Sequence, residues 1–364
     1  MLVCPETKLP VREVSLEEAE AAIGGKIGPV QRSGRPAEPF GTSERVMLRE
    51  DNGAAYPIAR GLPILMAPEV LLPEGTEKRF DLTLPQYAEA YEEMEFYNSV
   101  ASENAEKVKR EADYFYGRVL KLPESERENF PDPKEAWLDA SYDCRAQYDA
   151  YKHIAPVKDK IVVQLGGSGI AASYFALAGA KECWLLSPMI GEVEFGQLLM
   201  EEVGHGDKFR GVVGVGEELP FADGSVDALY SGGCVHHMET ATAMPEFRRV
   251  LAAGGALAAI DPWKAPLHTF GTKLLGKRET SVYCRPIDPR RLEPLHATFE
   301  ESTDTRYGAL TRYPMLALSK FGIKFHGASL YPLFAFDDAV AGIIPPFRRG
   351  WGSSIALLAR KAPG

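Results

Sequence analysis

Apolar and polar positions follow three regimes along the chain. Residues 1–75 hold short extended stretches broken by Pro and Gly, with no helical period. From Gln86 apolar or aromatic side chains recur in steps of three and four, at Tyr87, Tyr91, Met94, Tyr97, Ala101, Ala105, Val108, Ala112, Phe115 and Val119. That spacing predicts a continuous helical stripe. A second helical stretch is expected over Trp137–His153, after the loop sequence PESERENFPDP. From Lys160 short apolar runs alternate with helix-like segments. IVVQL (Ile161–Leu165) reads as a buried strand, GGSG (Gly166–Gly169) as a tight loop and IAASYFALAGA (Ile170–Ala180) as a helix. ECWLL, FRGVVGV, VDALYSG and ALAAID continue the series with helical segments between them. The alternation predicts an α/β domain with a doubly wound parallel sheet. The chain thus divides into 1–75, a helical cap or linker over 76–155, and an α/β domain over 156–364.

Composition narrows the class without naming a reaction. With 364 residues, 45% hydrophobic and 25% charged, the chain is long enough for a real core and ordinary for a globular protein. No apolar run reaches the ~18 residues of a membrane span, and the start MLVCPETKLP has no secretory pattern. Five scattered cysteines fit reduced thiols. The cytoplasm is the expected location. A net charge of −10 argues against a nucleic-acid-binding surface. A homodimer is compatible with the sequence.

Gly216–Trp263 reads GEELPFADGSVDALYSGGCVHHMETATAMPEFRRVLAAGGALAAIDPW. Its order of EELPF, D-G-S, strand, His-His, R-R-V-L, Gly-Gly and strand resembles the core of class I S-adenosylmethionine-dependent methyltransferases. The resemblance implies a Rossmann-like, mostly parallel sheet whose last strand, SSIALLARK (Ser353–Lys361), runs antiparallel. It implies S-adenosylmethionine as cofactor. The end of the first module, AYPIARGLPILMAPEVLLP (Ala55–Pro73), resembles the small zinc-ribbon proteins that activate methyltransferases. That family opens with CPxCK, whereas this chain has CPETK with Cys4 alone, and Arg49–Gly53 supplies no cysteine. Four ligands for a tetrahedral zinc cannot be assembled, so the lobe is expected to keep the fold without metal.

Ligands of open α/β sheets bind at the carboxyl ends of the strands, where glycines admit close backbone approach. Gly166, Gly167 and Gly169 suit that role, with Gln164 where the family pattern has an acid. The acid that would hold the ribose is replaced by Leu185, ahead of Ser187-Pro188, and the Asp before EELPF by Val215. Glu192 and Glu194 are the nearest substitute ribose acceptors, and Glu217, after Gly216, is a candidate for the adenine edge. Ser231, Gly232 and Gly233 would lie against the methionine part of the cofactor.

For chemistry, the loop SGGCVHHMET offers Cys234 as a thiol or a small filler and His236 as a base or substrate ligand. The resemblance makes His237 a helix-start residue. Adjacent histidines diverge on a helix and no third ligand is evident, so no metal is expected. Between Lys264 and Arg291 the chain carries seven Lys/Arg against two acids, within a basic, aromatic insertion placed at 264–300. A small substrate with a carboxylate or phosphate is therefore expected, held by some of Lys273, Lys277, Arg278 and Arg285 beside Trp263. Tyr313 could bring a phenol to the same mouth. Tyr91 and Tyr97 either fill the core or reach the substrate.

The sequence thus favours methyl transfer to a small anionic metabolite. With no evident base, a sulfur acceptor is slightly preferred. The alternatives are a different use of the sulfonium (cyclisation, elimination or aminocarboxypropyl transfer) or a catalytically inactive scaffold for a partner.

Overall fold

The computed structural model describes residues 1–34, 40–97, 108–109, 112–113, 117–131, 144–265, 285–308, 310–311, 314–315, 318, 321–323, 331–344 and 352–364. Seven strands form the central sheet: β1 (Ile161–Leu165), β2 (Glu182–Ser187), β3 (Phe209–Val213), β4 (Val226–Gly232), β5 (Leu251–Pro262), β6 (Glu301–Tyr307) and β7 (Ser354–Arg360). Their spatial order is β3-β2-β1-β4-β5-β7-β6. Only β7 runs against the rest, pairing antiparallel with β5 and β6. This is the expected Rossmann-like sheet with an antiparallel last strand.

β1 and β4 lie inside the sheet with helices on both faces, which explains their nearly unbroken apolar sequences. Val162, Val163, Leu165, Ala228 and Leu229 are all buried. Register then levels the carboxyl ends. Leu165 lies beside Leu186 on one side and Ser231 on the other, and Gly232 lies beside Ile260. Ser187, Gly166, Gly232 and Asp261 consequently emerge along one edge, which we call the ligand edge.

The segment 264–300 is not one insertion throughout. From Pro289 to Thr298 it is a regular helix, N-capped by the Asp288 carboxylate on the N–H groups of Arg290 and Arg291, and it buries Leu292 and Leu295. It feeds β6, a strand the hydrophobic pattern did not predict.

The N-terminal lobe is a small, largely antiparallel sheet. Val11–Ser15, Arg45–Arg49, Ala55–Ala59, Leu71–Pro73 and Ile27–Pro29 pair in that order, with Leu62–Pro63 added to Ala55–Ala59. Arg79–Asp81 returns to the lobe and pairs parallel with Gln31–Ser33. The CPETK loop closes around Cys4. The N–H of Thr7 donates to its Sγ (3.4 Å), and the Tyr56 hydroxyl lies 3.1 Å from the same sulfur. The Arg49 guanidinium interacts electrostatically with the Cys4 side chain and hydrogen-bonds the Asp51 carboxylate, which also accepts the N–H of Gly53. A guanidinium thus stands beside the thiol. Burial pushes the Cys4 thiol up, but hydrogen bonds from Thr7 and Tyr56 outweigh it and leave it below the ordinary value.

The lobe docks on the open edge of the central sheet. Ile64 bridges Val213 of β3 in parallel, the Leu65 N–H donates to the Val213 carbonyl (2.8 Å), and the Val3 N–H donates to the Pro220 carbonyl (3.0 Å). Gly211 of β3 permits this closeness, since a Cβ there would lie 2.3 Å from Val193 and 2.9 Å from Leu62. Among the described residues no helix is long and apolar enough to cross a membrane.

Candidate functional site

The loop after β1 turns on three glycines with positive φ: Gly166 (66°), Gly167 (74°) and Gly169 (78°). Their roles differ. A Cβ on Gly169 would lie 2.8 Å from the Cα of Gly196, so this glycine lets two helices meet. A Cβ on Gly166 would lie 2.2 Å from the Cys234 sulfur. The thiol therefore rests on the glycine loop, facing its backbone. Gln164 is fully engaged beneath the loop. Its Nε2 donates to the Gly166 carbonyl (2.8 Å) and its Oε1 accepts the Ala172 N–H (2.7 Å). Where a ligand contact was expected, Gln164 braces the loop and the following helix.

At the end of β2 the buried Ser187 donates its Oγ–H to Glu192 Oε2 (2.8 Å), across the first turn of the helix Ile190–Glu202. Glu192 thereby brings a carboxylate to the tip of a strand that ends without one of its own. Glu194 points elsewhere and forms an ion pair with Arg60 of the lobe (2.8 Å). The structure separates the two acids and leaves Glu192 as the candidate acceptor at the ligand edge.

The turn after β3 also departs from expectation. A Cβ on Gly216 would meet the Met238 sulfur at 2.4 Å, so the turn is pressed against the loop after β4. Glu217 is buried and accepts the Glu239 N–H (2.8 Å), so it faces inward and not toward an adenine edge. Burial pushes its carboxyl up to about 8, despite the lowering effect of that N–H. Ser231 is likewise buried, and its Oγ accepts the Cys234 N–H (3.2 Å). The backbone at Gly232 and Gly233 is what remains to face a ligand there.

The clearest constellation surrounds the histidine pair. Asp261, fully buried at the end of β5, accepts at Oδ1 both the backbone N–H of His236 (2.9 Å) and its ring Nδ1–H (2.8 Å). Its Oδ2 is buried with no partner. Desolvation holds the His236 imidazole below its ordinary value, against the raising effect of Asp261. The ring is thus neutral at pH 7, with the proton assigned to Nδ1, and Nε2 has no hydrogen-bond partner among the described residues. A neutral imidazole oriented by a carboxylate is the arrangement of a general base. Asp261 was not singled out in the sequence, where it lies 25 positions from His236. His237 Nδ1 pairs with Glu89 of the helix Pro85–Tyr97, and the two imidazole centroids are 4.0 Å apart, tilted by 47°.

Arg291 secures this loop, donating to the carbonyls of His236 (3.1 Å), Val235 (3.3 Å), Met238 (2.6 Å) and Arg285. It too went unremarked in the sequence, merged with a basic run. Arg285 lies at the same place. Its N–H donates to the His236 carbonyl (3.3 Å), and its half-exposed guanidinium stands 3.6 Å from Glu239.

Two substrate candidates turn inward. Tyr91 is fully buried and its hydroxyl donates to Glu69 (2.6 Å), itself ion-paired with Arg32. Trp263 is buried, and the Arg306 guanidinium covers its ring at 4.4 Å. Tyr91 thus fills the core, one of its two expected places, and Trp263 packs where a substrate contact was expected. Lys273, Lys277, Arg278 and Tyr313 lie outside the described residues, as does the side chain of Tyr97. Among the described residues no group of three or more His, Cys, Asp or Glu is placed to hold a metal ion.

The sheet order and the glycine loop after its first strand define a Rossmann-like fold. Residues 164–259, from the end of β1 through most of β5, match the family described as a methyltransferase domain. No curated protein matches the chain. Among solved structures, geranyl diphosphate C-methyltransferase from Streptomyces coelicolor, in complex with Mg2+, geranyl diphosphate and S-adenosyl-L-homocysteine, is 16% identical. That match covers 60% of this chain and 77% of the other, with a TM-score of 0.42. A putative methyltransferase from Bacillus halodurans is 21% identical over 59% of this chain and 97% of its own, with a TM-score of 0.40. Phosphoethanolamine N-methyltransferase 2 of Haemonchus contortus, in complex with phosphomonomethylethanolamine and S-adenosylhomocysteine, is 15% identical. It covers 59% of this chain and 52% of its own, with a TM-score of 0.42.

Proposed function

We propose that the protein is an S-adenosylmethionine-dependent methyltransferase that uses His236, oriented by Asp261, to deprotonate an oxygen or nitrogen acceptor. The observation that carries this reading is the buried His236–Asp261 pair at the ligand edge of a methyltransferase domain. A thioether or thiolate acceptor needs no base. A hydroxyl must lose its proton as the methyl arrives and a protonated amine must lose one beforehand to free its lone pair, and a neutral imidazole can take either. The sulfur preference drawn from the sequence rested on the lack of an evident base, and the dyad removes that ground.

The chain's own residues divide the work as follows. The Gly166–Gly169 backbone would lie under the cofactor's methionine part, with Gly232 and Gly233 closing the other side. Glu192 would accept from the ribose hydroxyls, a charged hydrogen bond whose loss should weaken binding about 10- to 100-fold. The bound cofactor supplies the electrophilic methyl group. The protein's task is to bring the acceptor ~3 Å from it and to exclude water. Arg285, beside the His236 backbone, and the seven Lys/Arg of residues 264–291 support a substrate bearing a carboxylate or phosphate.

Calorimetry with S-adenosylmethionine and S-adenosylhomocysteine tests the cofactor. Both should bind well below millimolar, and Glu192→Gln should weaken both. Absence of heat at millimolar concentration would overturn the reading. Mass analysis of the spent cofactor then distinguishes loss of the methyl group from loss of a longer carbon chain.

A further inference from the structure

The helix Pro85–Tyr97 is seated on the ligand edge and the lobe by three polar side chains. The Tyr87 hydroxyl donates to Glu218 (2.6 Å), the Tyr91 hydroxyl donates to Glu69 (2.6 Å), and Glu89 pairs with His237 Nδ1. The two tyrosines are ordinary anchors, each with its buried hydroxyl satisfied. Glu89 is different. It is 4% exposed, and its second oxygen, Oε2, is buried with no hydrogen-bond partner among the described residues. Oε2 of Glu218, the acid that accepts from Tyr87, is buried in the same way, so what sets Glu89 apart is the ring it holds, which lies against His236.

The neighbours of Glu89 suggest what it is for. Asp261 fixes Nδ1 of the His236 ring, but one hydrogen bond leaves the ring free to rock about the Nδ1–Oδ1 line. That rocking displaces Nε2, the atom that would meet the acceptor. The His237 ring, 4.0 Å away centroid to centroid, limits this freedom only if it is itself held. Glu89 holds it at Nδ1. Asp261 also keeps one buried oxygen without a partner, so the same uneconomical use of a carboxylate recurs on both sides of the ring pair.

We propose that Glu89 is a positioning residue. Through His237 it locks the face of the His236 ring, so that seating the cap helix and aligning the base become one event. This rests on the reading of His236 as the base. Misplacing a reacting group by about an ångström lowers rates on the order of 100-fold, so an indirect contact of this kind has a measurable consequence.

The test uses long-range 1H–15N spectra of the histidine rings in the full chain, with S-adenosylhomocysteine as the probe ligand. In the wild-type protein His236 should show one neutral tautomer carrying the proton on Nδ1, and His237 should show a proton held on Nδ1 by Glu89. Glu89→Gln keeps an acceptor oxygen and should preserve both signatures. Glu89→Ala removes it and should cost His237 its single-tautomer signature and, through the ring contact, shift or broaden the His236 Nε2 and ring-carbon signals, while Asp261 keeps the His236 proton on Nδ1. Should Glu89→Ala not fold, Glu89→Leu fills the space without an acceptor and carries the same expectation. Once an acceptor is in hand, kcat should fall about 10- to 100-fold in the alanine or leucine variant, with cofactor affinity retained and activity restored by glutamine. A folded Glu89→Ala or Glu89→Leu protein with unaltered His236 signals would overturn the proposal. Failure of S-adenosylhomocysteine to bind the wild-type protein would instead count against the methyltransferase reading, since the ring response to Glu89 can be measured without ligand.

Discussion

Two buried polar clusters, one in the N-terminal lobe and one at the ligand edge, are built from similar groups and solved differently. Around Cys4 the thiol meets the Tyr56 hydroxyl and the Thr7 N–H, the nearby Arg49 guanidinium pairs with the exposed Asp51 carboxylate, and among the described residues none of their buried polar atoms is left without a partner. Around His236, two carboxylates each spend one oxygen on an imidazole and keep the other idle. A closed network specifies a fold, whereas idle acceptors in the interior carry a cost that stability does not explain. On the function proposed above, the first cluster is structural and the second carries the chemistry.

The contrast can be broken most sharply at the base. His236→Ala and Asp261→Asn should each lower methyl transfer about 100- to 10,000-fold while leaving S-adenosylmethionine affinity within about threefold by calorimetry. A loss smaller than tenfold would place the dyad with the structural clusters. Next in size is a pH effect at Glu217. Its folded carboxyl titrates at about 8, above its unfolded value. The stability it contributes is therefore complete below the ordinary carboxylate range and is lost as pH rises through about 8. Glu217→Gln should raise the thermal midpoint at pH 9, by the equivalent of roughly 2–4 kcal/mol, and change little at pH 4. A uniform shift at both pH values would contradict the protonated assignment.

His236 titrates with the opposite sign. Its folded value is held down, so it withdraws stability as pH falls below about 6.5, where the unfolded chain binds the proton first. A smaller change is expected in the lobe. Tyr56→Phe removes the hydroxyl partner of Cys4 and should cost about 1 kcal/mol, seen in denaturant titration, without altering cofactor affinity. The smallest effect concerns metal. Because the Cys4 thiol is held by Thr7 and Tyr56 with the Arg49 guanidinium nearby, prolonged treatment with a chelator should leave the thermal midpoint unchanged, and a drop of several degrees would show that the lobe depends on bound metal.

The strands were legible where burial leaves a strong pattern. β1, β2, β3, β4 and the second half of β5 are apolar runs flanked by Gly or polar turns, and they fall where the alternation places them. β6 was not, because ESTDTRY carries scarcely any apolar signal. It is an edge strand paired only with β7, and its charged side chains suit an edge that must not recruit another strand. The helix Pro289–Thr298 was hidden within a basic run, since Leu292 and Leu295 are too few to reveal a helical period.

The site was less legible than the sheet. Glycine positions and the His-Cys loop could be read directly, but their partners depend on register. Asp261 meets His236 because β4 and β5 run parallel and end level, a fact that spacing along the chain does not carry. Glu89 reaches His237 across 148 residues of sequence. Gln164, Ser231 and Glu217 occupy family positions, yet each is consumed by the protein's own backbone, which only coordinates can show.

The docking of the lobe on β3 has one more consequence. A strand edge capped by a separate protein is occupied only as far as concentration and affinity allow, and dilution uncaps it. Here the cap and the edge share a chain, so the encounter is unimolecular and its effective concentration is fixed by the tether. Occupancy of that edge is independent of expression level, and its stoichiometry is one to one from the moment of synthesis.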